Sequence, residues 1–313
     1  MSVALLVLTC AATGLAIRLL RRWPRLVFAA TSIGTAVLIL VLATASSEPF
    51  VFIGRTVALD YSERIFLWPA IGIAAALAFF GPLTFEQGGN SPSVALSNSQ
   101  GTFFFLSLAP LILAMAINNF PLAVFFWAIG LMLLVLVAQP RREGRAGGAA
   151  QFLLLTVLAT ASLLLANRYL DLYPLTPENL DLARNAFLFL AWGMGLLLAV
   201  APLHIWLGPL ADEMPLLGMA FLIGVAQPVG LWLVFQLMSR TLWLTEKSPM
   251  LNALLLAGIV TVPVGAILAL AEQRHGRFLV HLSLVPLGHA LIGFGLGTRL
   301  GLAGAMLIML DRA

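Results

Sequence analysis

The sequence has very little charge for its length. Charged residues make up 10% of its 313 residues, hydrophobic residues 61%, and the mean hydropathy is +1.02. Lys247 is the only lysine, so the net charge of +4 comes almost entirely from arginine. This composition excludes a soluble domain and indicates a protein that crosses a membrane many times. Because the arginines lie between apolar runs, they indicate membrane topology and not nucleic-acid binding.

The sequence also lacks the residues that many soluble enzymes use for chemistry. Cys10 is the only cysteine, which excludes an internal disulfide and any cysteine-based metal or cluster site. It lies in the first apolar run, and arginines follow that run instead of preceding it, unlike a cleaved signal peptide. The sequence has no phosphate loop, dinucleotide fingerprint, metal-binding cluster or catalytic triad. We therefore expect this chain to bind no cofactor and no metal.

Apolar runs separated by short polar links occupy the whole chain. Most have roughly 16–24 residues, close to the 20 or so that span the hydrocarbon as a helix. There are about eleven of them, the last one short: Val3–Leu20, Leu26–Ala45, Ile65–Phe85, Thr102–Ile117, Pro121–Val137, Ala149–Ala166, Ala183–Leu203, Leu216–Met238, Leu251–Ala271, Phe278–Leu296 and Leu300–Leu310. The sequence therefore predicts an all-α, polytopic integral membrane protein of about eleven transmembrane helices.

Arginine clusters predict the orientation of these helices. The clusters Arg18–Arg25, Arg141–Arg145 and Arg274–Arg277 follow the first, fifth and ninth runs. If every run spans the membrane once, all three clusters lie on the same side, which is the cytoplasmic side by the positive-inside rule. The N-terminus is then outside. We expect a multi-pass protein of the cell (inner) membrane.

Prolines interrupt the seventh and eighth runs. Pro202 removes a helical hydrogen-bond donor, so the seventh helix must kink or break there. Pro209 and Pro215 then lead the chain out of that run, and Gln227-Pro228 predicts a kink in the next one. A broken helix with a polar group at the break is typical of transporters that expose backbone to an internal cavity.

Histidines are the main ionisable residues within the apolar runs. His204 directly follows the predicted break, and His281 and His289 lie eight residues apart in the tenth run, near one face of its helix. Imidazole titrates near neutral pH, so all three are candidates for a proton relay, with His204 and His289 favoured over His281. A structural role, with each ring hydrogen-bonded to a neighbouring helix, stays open for all three.

Two links have their own character. Glu48–Arg64 contains short β-branched and aromatic pieces around Gly54, which predict a small external hairpin. Glu86–Gln100 is rich in Gly, Ser and Asn, which predicts a flexible internal loop.

Several stretches, in order and at consistent spacing, resemble one family. Residues 201–215 read APLHIWLGPLADEMP and resemble the P-F-H-x-W-L-P-D-A-x-x-x-A-P stretch of the antiporter-like membrane subunits of respiratory complex I (NADH-quinone oxidoreductase). Multisubunit cation/proton antiporters and membrane-bound hydrogenases share that stretch. Residues 268–290 are similar to the family's A-L-x-Q-x-D-x-K-R-L-L-A-Y-S-S-I-S-H, and 301–307 to its G-x-x-G-A-L-L. Leu59-Asp60 fits its L-D-x-x-S.

Departures from the family pattern fall at its proton-carrying positions. By resemblance, proton-moving members carry a glutamate after F-x-W, where this chain has Ala128, and a lysine before P-F-H, where it has Leu197. Gln227 and Pro228 stand near the lysine or histidine of the eighth segment, and Ile308 and Arg312 match the paired histidines of the eleventh. The family has roughly fourteen segments in two inverted repeats. We expect a shortened antiporter-like fold with a broken seventh helix and an incomplete second repeat.

The resemblance implies a non-catalytic membrane-arm subunit of a complex I-type NADH-quinone oxidoreductase. It is expected to be impaired in proton translocation and largely structural. NADH and quinone are then used by the parent complex, and other membrane subunits and the lipid bilayer, without nucleic acid, are the partners. By the same resemblance, the single membrane domain divides into helices 1–3 in residues 1–101, a first repeat in 102–238 and a partial second repeat in 239–313.

Two alternatives stay open at this point. The chain is equally similar to subunits of a cation/proton antiporter, a membrane-bound hydrogenase or an inorganic-carbon uptake complex. An assembly or scaffold protein without a transport role is the alternative from another class.

Overall fold

The structure, a computed structural model, describes residues 2–20, 22–44, 49–52, 55–85, 98–138 and 147–312. In chain order the helices of these residues are α1 (Ser2–Leu19), α2 (Pro24–Ala43), α3 (Tyr61–Phe85), α4 (Asn98–Ala116), α5 (Phe120–Val135), α6 (Gly147–Leu172), α7 (Leu180–Leu198), α8 (Leu207–Glu213), α9 (Leu216–Phe221), α10 (Gln227–Arg240), α11 (Leu242–Lys247), α12 (Met250–Ala271), α13 (His275–Leu282), α14 (Leu284–Gly295) and α15 (Arg299–Asp311).

The predicted all-α, polytopic membrane architecture is confirmed. Each of the predicted apolar runs falls mainly on helix. The eighth and tenth runs are each divided between two helices, and the seventh run continues past the end of α7. Within the described residues, six helical segments are long and apolar enough to cross a membrane, and three shorter apolar helices accompany them. The division of the tenth run at Ser283 is a correction, because that run was predicted as one continuous helix.

One compact unit contains Met1–Ala146 and Glu213–Val229. In it α1 packs against α2 and α4, and α4 packs against α5. Large aromatic side chains fill its centre: the rings of Phe104 and Phe221 lie 4.4 Å apart, and both side chains are fully buried.

A second compact unit contains Gly147–Asp212 and Gly230–Ala313. Here α6 packs along α7, and α14 packs between α12 and α15. A Cβ atom added to Gly258 would lie 2.5 Å from the carbonyl oxygen of Gly288, so α12 and α14 approach as closely as glycine allows. This unit contains the seventh and tenth runs, and it therefore holds the predicted histidines.

A short hairpin follows α2, as predicted. Strands β1 (Phe50–Phe52) and β2 (Arg55–Val57) pair antiparallel, with Val51 opposite Thr56. Its location outside the membrane stays a prediction.

Some predictions concern residues outside the described ranges. The cluster Arg141–Arg145 and most of the loop Glu86–Gln100 lie there. The orientation of the helices and the division at 101 and 238 stay predictions.

Candidate functional site

The predicted break in the seventh helix is present. Helix α7 ends at Leu198, and Ala199 adopts the left-handed conformation with φ of 60°. A 3-10 turn over Leu203–Trp206 then leads into α8. Because the ring of a proline collides with the carbonyl four residues earlier, Pro202 explains why the helix ends at Leu198. The break thus begins four residues before the proline that causes it.

Side chains of the same unit provide hydrogen-bond partners for the backbone at the break. The indole N–H of Trp206 donates to the carbonyl oxygen of Leu196 at 2.9 Å. The N–H of Ala201 donates to the hydroxyl oxygen of Thr261 on α12 at 3.2 Å. That hydroxyl in turn donates to the carbonyl oxygen of Ala257 at 2.6 Å. A backbone interruption inside an apolar helix bundle is therefore stabilised without water.

The other predicted helix-breaking prolines lie at element boundaries or inside a short helix. Pro209 lies within α8, where a Cβ atom added to Gly148 would be 2.5 Å from its carbonyl group. Pro215 has extended backbone and directly precedes α9. The structural role of both residues stays a prediction.

The eighth run is distorted next to Gln227-Pro228, as predicted. One π-helical turn over Leu222–Ala226 separates α9 from α10, which starts at Gln227. The fully buried Trp127 of α5 donates its indole N–H to the carbonyl oxygen of Ala226 at 2.8 Å. This hydrogen bond between Trp127 and Ala226 was not predicted from the sequence.

An ion-pair cluster joins α8 to the start of α13. Nη2 of Arg277 lies 2.6 Å from Oδ2 of Asp212, and its Nε lies 3.2 Å from both carboxylate oxygens. Arg274, whose side chain is 65% exposed, reaches the same carboxylate at 3.1 Å. Arg277 also lies 3.7 Å from Oε1 of Glu272, so it bridges two carboxylates.

His281 and His204 lie beside this cluster. His281 is buried, and its Nδ1 lies 3.8 Å from Oε1 of Glu272, too far for a direct hydrogen bond. A Cβ atom added to Gly208 of α8 would be 3.7 Å from its Nε2. His204 is close enough to interact electrostatically with His281, and its buried Nδ1 has no hydrogen-bond partner in the described structure. Two imidazoles and one carboxylate therefore lie near one another in the second unit.

His289 lies apart from that pair. It is exposed on α14, and its Nδ1 lies 2.8 Å from the carbonyl oxygen of Val285 in its own helix. Of the three predicted relay residues, the structure brings His204 and His281 together and leaves His289 outside their cluster.

The carboxylates and arginines of the cluster were missed as site residues. Arg274–Arg277 were predicted only as a topology signal, and Asp212 was not singled out. The spacing of Arg277 and His281 by four residues places them on one helix face, which is a usable signal. Asp212 lies 65 residues from Arg277, so no local pattern could have paired them.

Buried, uncharged side chains occupy the positions that, by resemblance, carry ionisable groups in proton-moving members of the family. Ala128 of α5 and Leu197 of α7 are each only 2% exposed, and Gln227 is 1% exposed. Within the described residues, no group of three or more His, Cys, Asp or Glu side chains could hold a metal ion.

The fold and the broken helix define a polytopic membrane subunit of the antiporter-like class. The family described as "NADH:quinone oxidoreductase/Mrp antiporter, TM" matches residues 117–311. This match covers more than half of the chain, and the protein belongs to that family.

Curated relatives share this assignment. NADH-quinone oxidoreductase subunit N of Desulforudis audaxviator is 28% identical over 77% of this chain and 52% of its own length. An NAD(P)H-quinone oxidoreductase chain 4 of Microcystis aeruginosa is 30% identical over 81% of this chain and 50% of its own length. The chain thus spans about half the length of these relatives.

Solved structures share the fold. A chain of respiratory complex I from Thermus thermophilus matches 99% of this chain and 68% of its own length, with a TM-score of 0.73 and 21% identity. An archaeal membrane-bound sulfane sulfur reductase also matches 99% of this chain and 68% of its own, with a TM-score of 0.79 and 16% identity. The Mrp complex from a Dietzia species gives 0.77 and 18% identity over 99% of this chain and 35% of its own.

Proposed function

We propose that the chain is a membrane-arm subunit of a complex I-type NADH-quinone oxidoreductase whose role is chiefly structural. It holds neighbouring membrane subunits together. Its first repeat, residues 102–238, conducts no protons. The observation that carries this proposal is the burial of Ala128 and Leu197 where proton-moving relatives, by resemblance, carry a glutamate and a lysine.

Electrostatics supports the loss of conduction. A proton crosses hydrocarbon on titratable side chains or on ordered water held by polar groups. An ionisable group at the centre of a bilayer costs about 2.5–3.5 kcal/mol on insertion scales, so such groups persist where function needs them. Replacing them with alanine and leucine removes both the charge and the polar surface that would hold water.

The remaining histidines form a local site. His204 and His281 can share protons with Glu272, which is 22% exposed and so connects the pair to the surface of its own unit. His289 has no part in that exchange, because it is exposed and bonded to its own helix. We propose that residual proton exchange is confined to this local site.

The same proposal extends to cofactors, partners and location. The parent complex uses NADH and quinone, and this chain binds neither. Its partners are other membrane subunits and the lipid bilayer, and no nucleic acid. It lies in the inner membrane with its N-terminus outside. The names of the curated relatives support the complex I assignment, because those relatives are called quinone oxidoreductase subunits.

An affinity tag on the chain in its native membranes tests the assignment. We expect NADH-oxidising subunits to co-purify with it. Deleting the chain is expected to prevent assembly of the membrane arm. Normal assembly with lost pumping would instead contradict a structural role.

Proton stoichiometry tests the loss of conduction. We expect the ratio of protons pumped to electrons transferred, measured in inverted membrane vesicles, to be unchanged in His204→Gln and His281→Gln. His289→Gln is the matched control, because it removes an imidazole that lies outside the site. A lower ratio in the first two variants alone would show that protons do cross this subunit.

A second candidate is a subunit of a Mrp-type antiporter or a related respiratory complex without NADH oxidation. The fold similarity to the sulfane sulfur reductase and Mrp complexes favours it, since their TM-scores are at least as high as that of complex I. Co-purification of a nickel–iron subunit, or of antiporter subunits alone, would select this candidate.

A further inference from the structure

An open cavity of about 90 Å³ lies within the second unit, beside the break in the seventh helix. Helices α7, α10, α12 and α14 form its walls, and every residue that lines it is apolar. Small residues stand four apart on two of these walls, Ala191 and Gly195 on α7 and Ala253 and Ala257 on α12. A cavity of this size without polar partners is dry or holds an apolar guest, so water is not its natural occupant.

The cavity opens onto an exposed apolar face. Ala191 at its edge is exposed, and large apolar side chains around it are exposed as well: Leu188 by 44%, Trp192 by 56% and Leu256 by 63%. These residues lie on helical segments long and apolar enough to span the bilayer. The occupant therefore comes from the lipid phase.

Two cations mark one end of the cavity. Arg184 precedes the lining residue Phe187 by three positions, and Lys247 precedes the lining residue Met250 by three. Both are exposed, and within the described residues neither takes part in an ion pair. Because α11 contacts α7, the two cations lie at the same end of the unit.

Aromatic residues place this end at the level of the lipid headgroups. The rings of Tyr173 and Trp243 stack 4.1 Å apart, next to the starts of α7 and α11. Tyrosine and tryptophan concentrate at the boundary between hydrocarbon and headgroups. Positive side chains at this boundary attract anionic lipid phosphates.

We propose that the second unit binds one anionic phospholipid, with its phosphate at Arg184 and Lys247 and a segment of one acyl chain in the cavity. The stretch from Met250 to Ala257 on α12 covers about 10 Å, which the acyl chain follows from the headgroup level into the bundle. Its end lies against Leu198 and Val200, which line the cavity at the break.

This lipid covers the interrupted backbone from the side. Leu198 and Val200 belong to the segment where the helix stops, so hydrocarbon in the cavity keeps water from reaching it. The site does not depend on the proposed function, because a bound lipid is counted without reference to proton flux.

Native mass spectrometry of the full chain tests the site. The probe is dipalmitoyl phosphatidylglycerol added back to delipidated protein in detergent. We expect one lipid to remain on each chain. The double variant Arg184→Gln, Lys247→Gln is expected to bind it roughly thirtyfold more weakly. Ala253→Trp, which fills the cavity, is expected to abolish retention, and Ala253→Leu to reduce it if the larger variant does not fold.

Matched controls separate the two parts of the site. Arg299→Gln removes an exposed cation from α15, and Leu256→Trp adds bulk on the exposed side of α12. Both are expected to retain the lipid. Retention of no lipid by the unaltered chain overturns the proposal, as does equal retention by the Ala253 variants and Leu256→Trp. The proposal is also overturned if the chain retains a neutral quinone or alkane instead, and retains it equally well in the double variant that lacks both cations.

Discussion

The indole of Trp206 and the carbonyl oxygen of Leu196 form a hydrogen bond of 2.9 Å across the break in the seventh helix. Trp206 lies ten residues beyond Leu196 in the chain and folds back over the end of α7. Its ring is fully buried and packs on Phe152 of α6, with ring centres 4.5 Å apart. One side chain thus closes the break and anchors it to the neighbouring helix.

Trp206→Phe tests the closing hydrogen bond. Phenylalanine retains most of the packing on Phe152 but donates nothing to the carbonyl of Leu196, which then lacks its side-chain donor inside the protein. We expect a loss of about 1–3 kcal/mol in the free energy of unfolding, measured by denaturation in detergent micelles. Trp192→Phe, on the exposed face of the same helix, is the control and is expected to change little. Equal effects would mean that the hydrogen bond contributes nothing.

Thr261→Val tests the support that α12 gives to the break. Valine has the shape of threonine but leaves the N–H of Ala201 without its acceptor. The expected loss is about 1–3 kcal/mol of unfolding free energy in the same assay. Thr160→Val is the matched control, because the Thr160 hydroxyl bonds only to the carbonyl oxygen of Thr156 in its own helix. If Thr160→Val destabilised the protein as much as Thr261→Val, the hydrogen bond from Ala201 to Thr261 would not explain the loss.

Arg277→Gln should destabilise the protein more than Arg274→Gln. Arg277 is 32% exposed and contacts Asp212 through two nitrogens, whereas Arg274 is 65% exposed and makes one contact. Exposed ion pairs contribute about 0–1 kcal/mol, and a more buried, two-point pair contributes more. Thermal unfolding of both variants at low and high salt checks the order. Salt is expected to reduce the difference, and a reversed order would contradict the geometry.

Gly258→Ala tests the contact between α12 and α14. The added methyl group would lie 2.5 Å from the carbonyl oxygen of Gly288, so the helices must separate at a cost of about 1–3 kcal/mol. Gly304→Ala on α15 is the control, because nothing lies within 4 Å of the position its methyl group would take. Alanine favours helix over glycine by about 1 kcal/mol, so that variant should unfold at the same or a higher temperature. If Gly304→Ala were destabilised as much as Gly258→Ala, the loss of stability could not be assigned to the contact between α12 and α14.

The composition of the chain and the lengths of its apolar runs were sufficient to predict the helical architecture. The apolar runs mapped onto helices because lipid-exposed backbone must satisfy its own hydrogen bonds, which leaves helix as the local solution. Pro202 located the break because proline acts on its own chain. The interruption at Ser283 was predictable in the same way but was missed, because Pro286 lies four residues beyond Leu282, where α13 ends.

The candidate site was predictable only in part. His204 and His281 were found because ionisable residues are rare in apolar runs. Their grouping with Glu272 and Asp212 depends on how α8 packs beside α13, which residue spacing does not encode. Spacing misled the prediction for His289. It lies eight residues from His281, which predicts a shared helix face, but in the structure His289 is exposed and lies outside the cluster.

The sealing of the helix break has a consequence for how such interruptions are interpreted. A discontinuous transmembrane helix is commonly taken to mark a hydrated passage. Here Trp206 and Thr261 supply backbone partners from within the bundle, so the discontinuity is compatible with a fully dry interior. An interrupted transmembrane helix can thus be a stable structural element, supported by side chains of its own bundle.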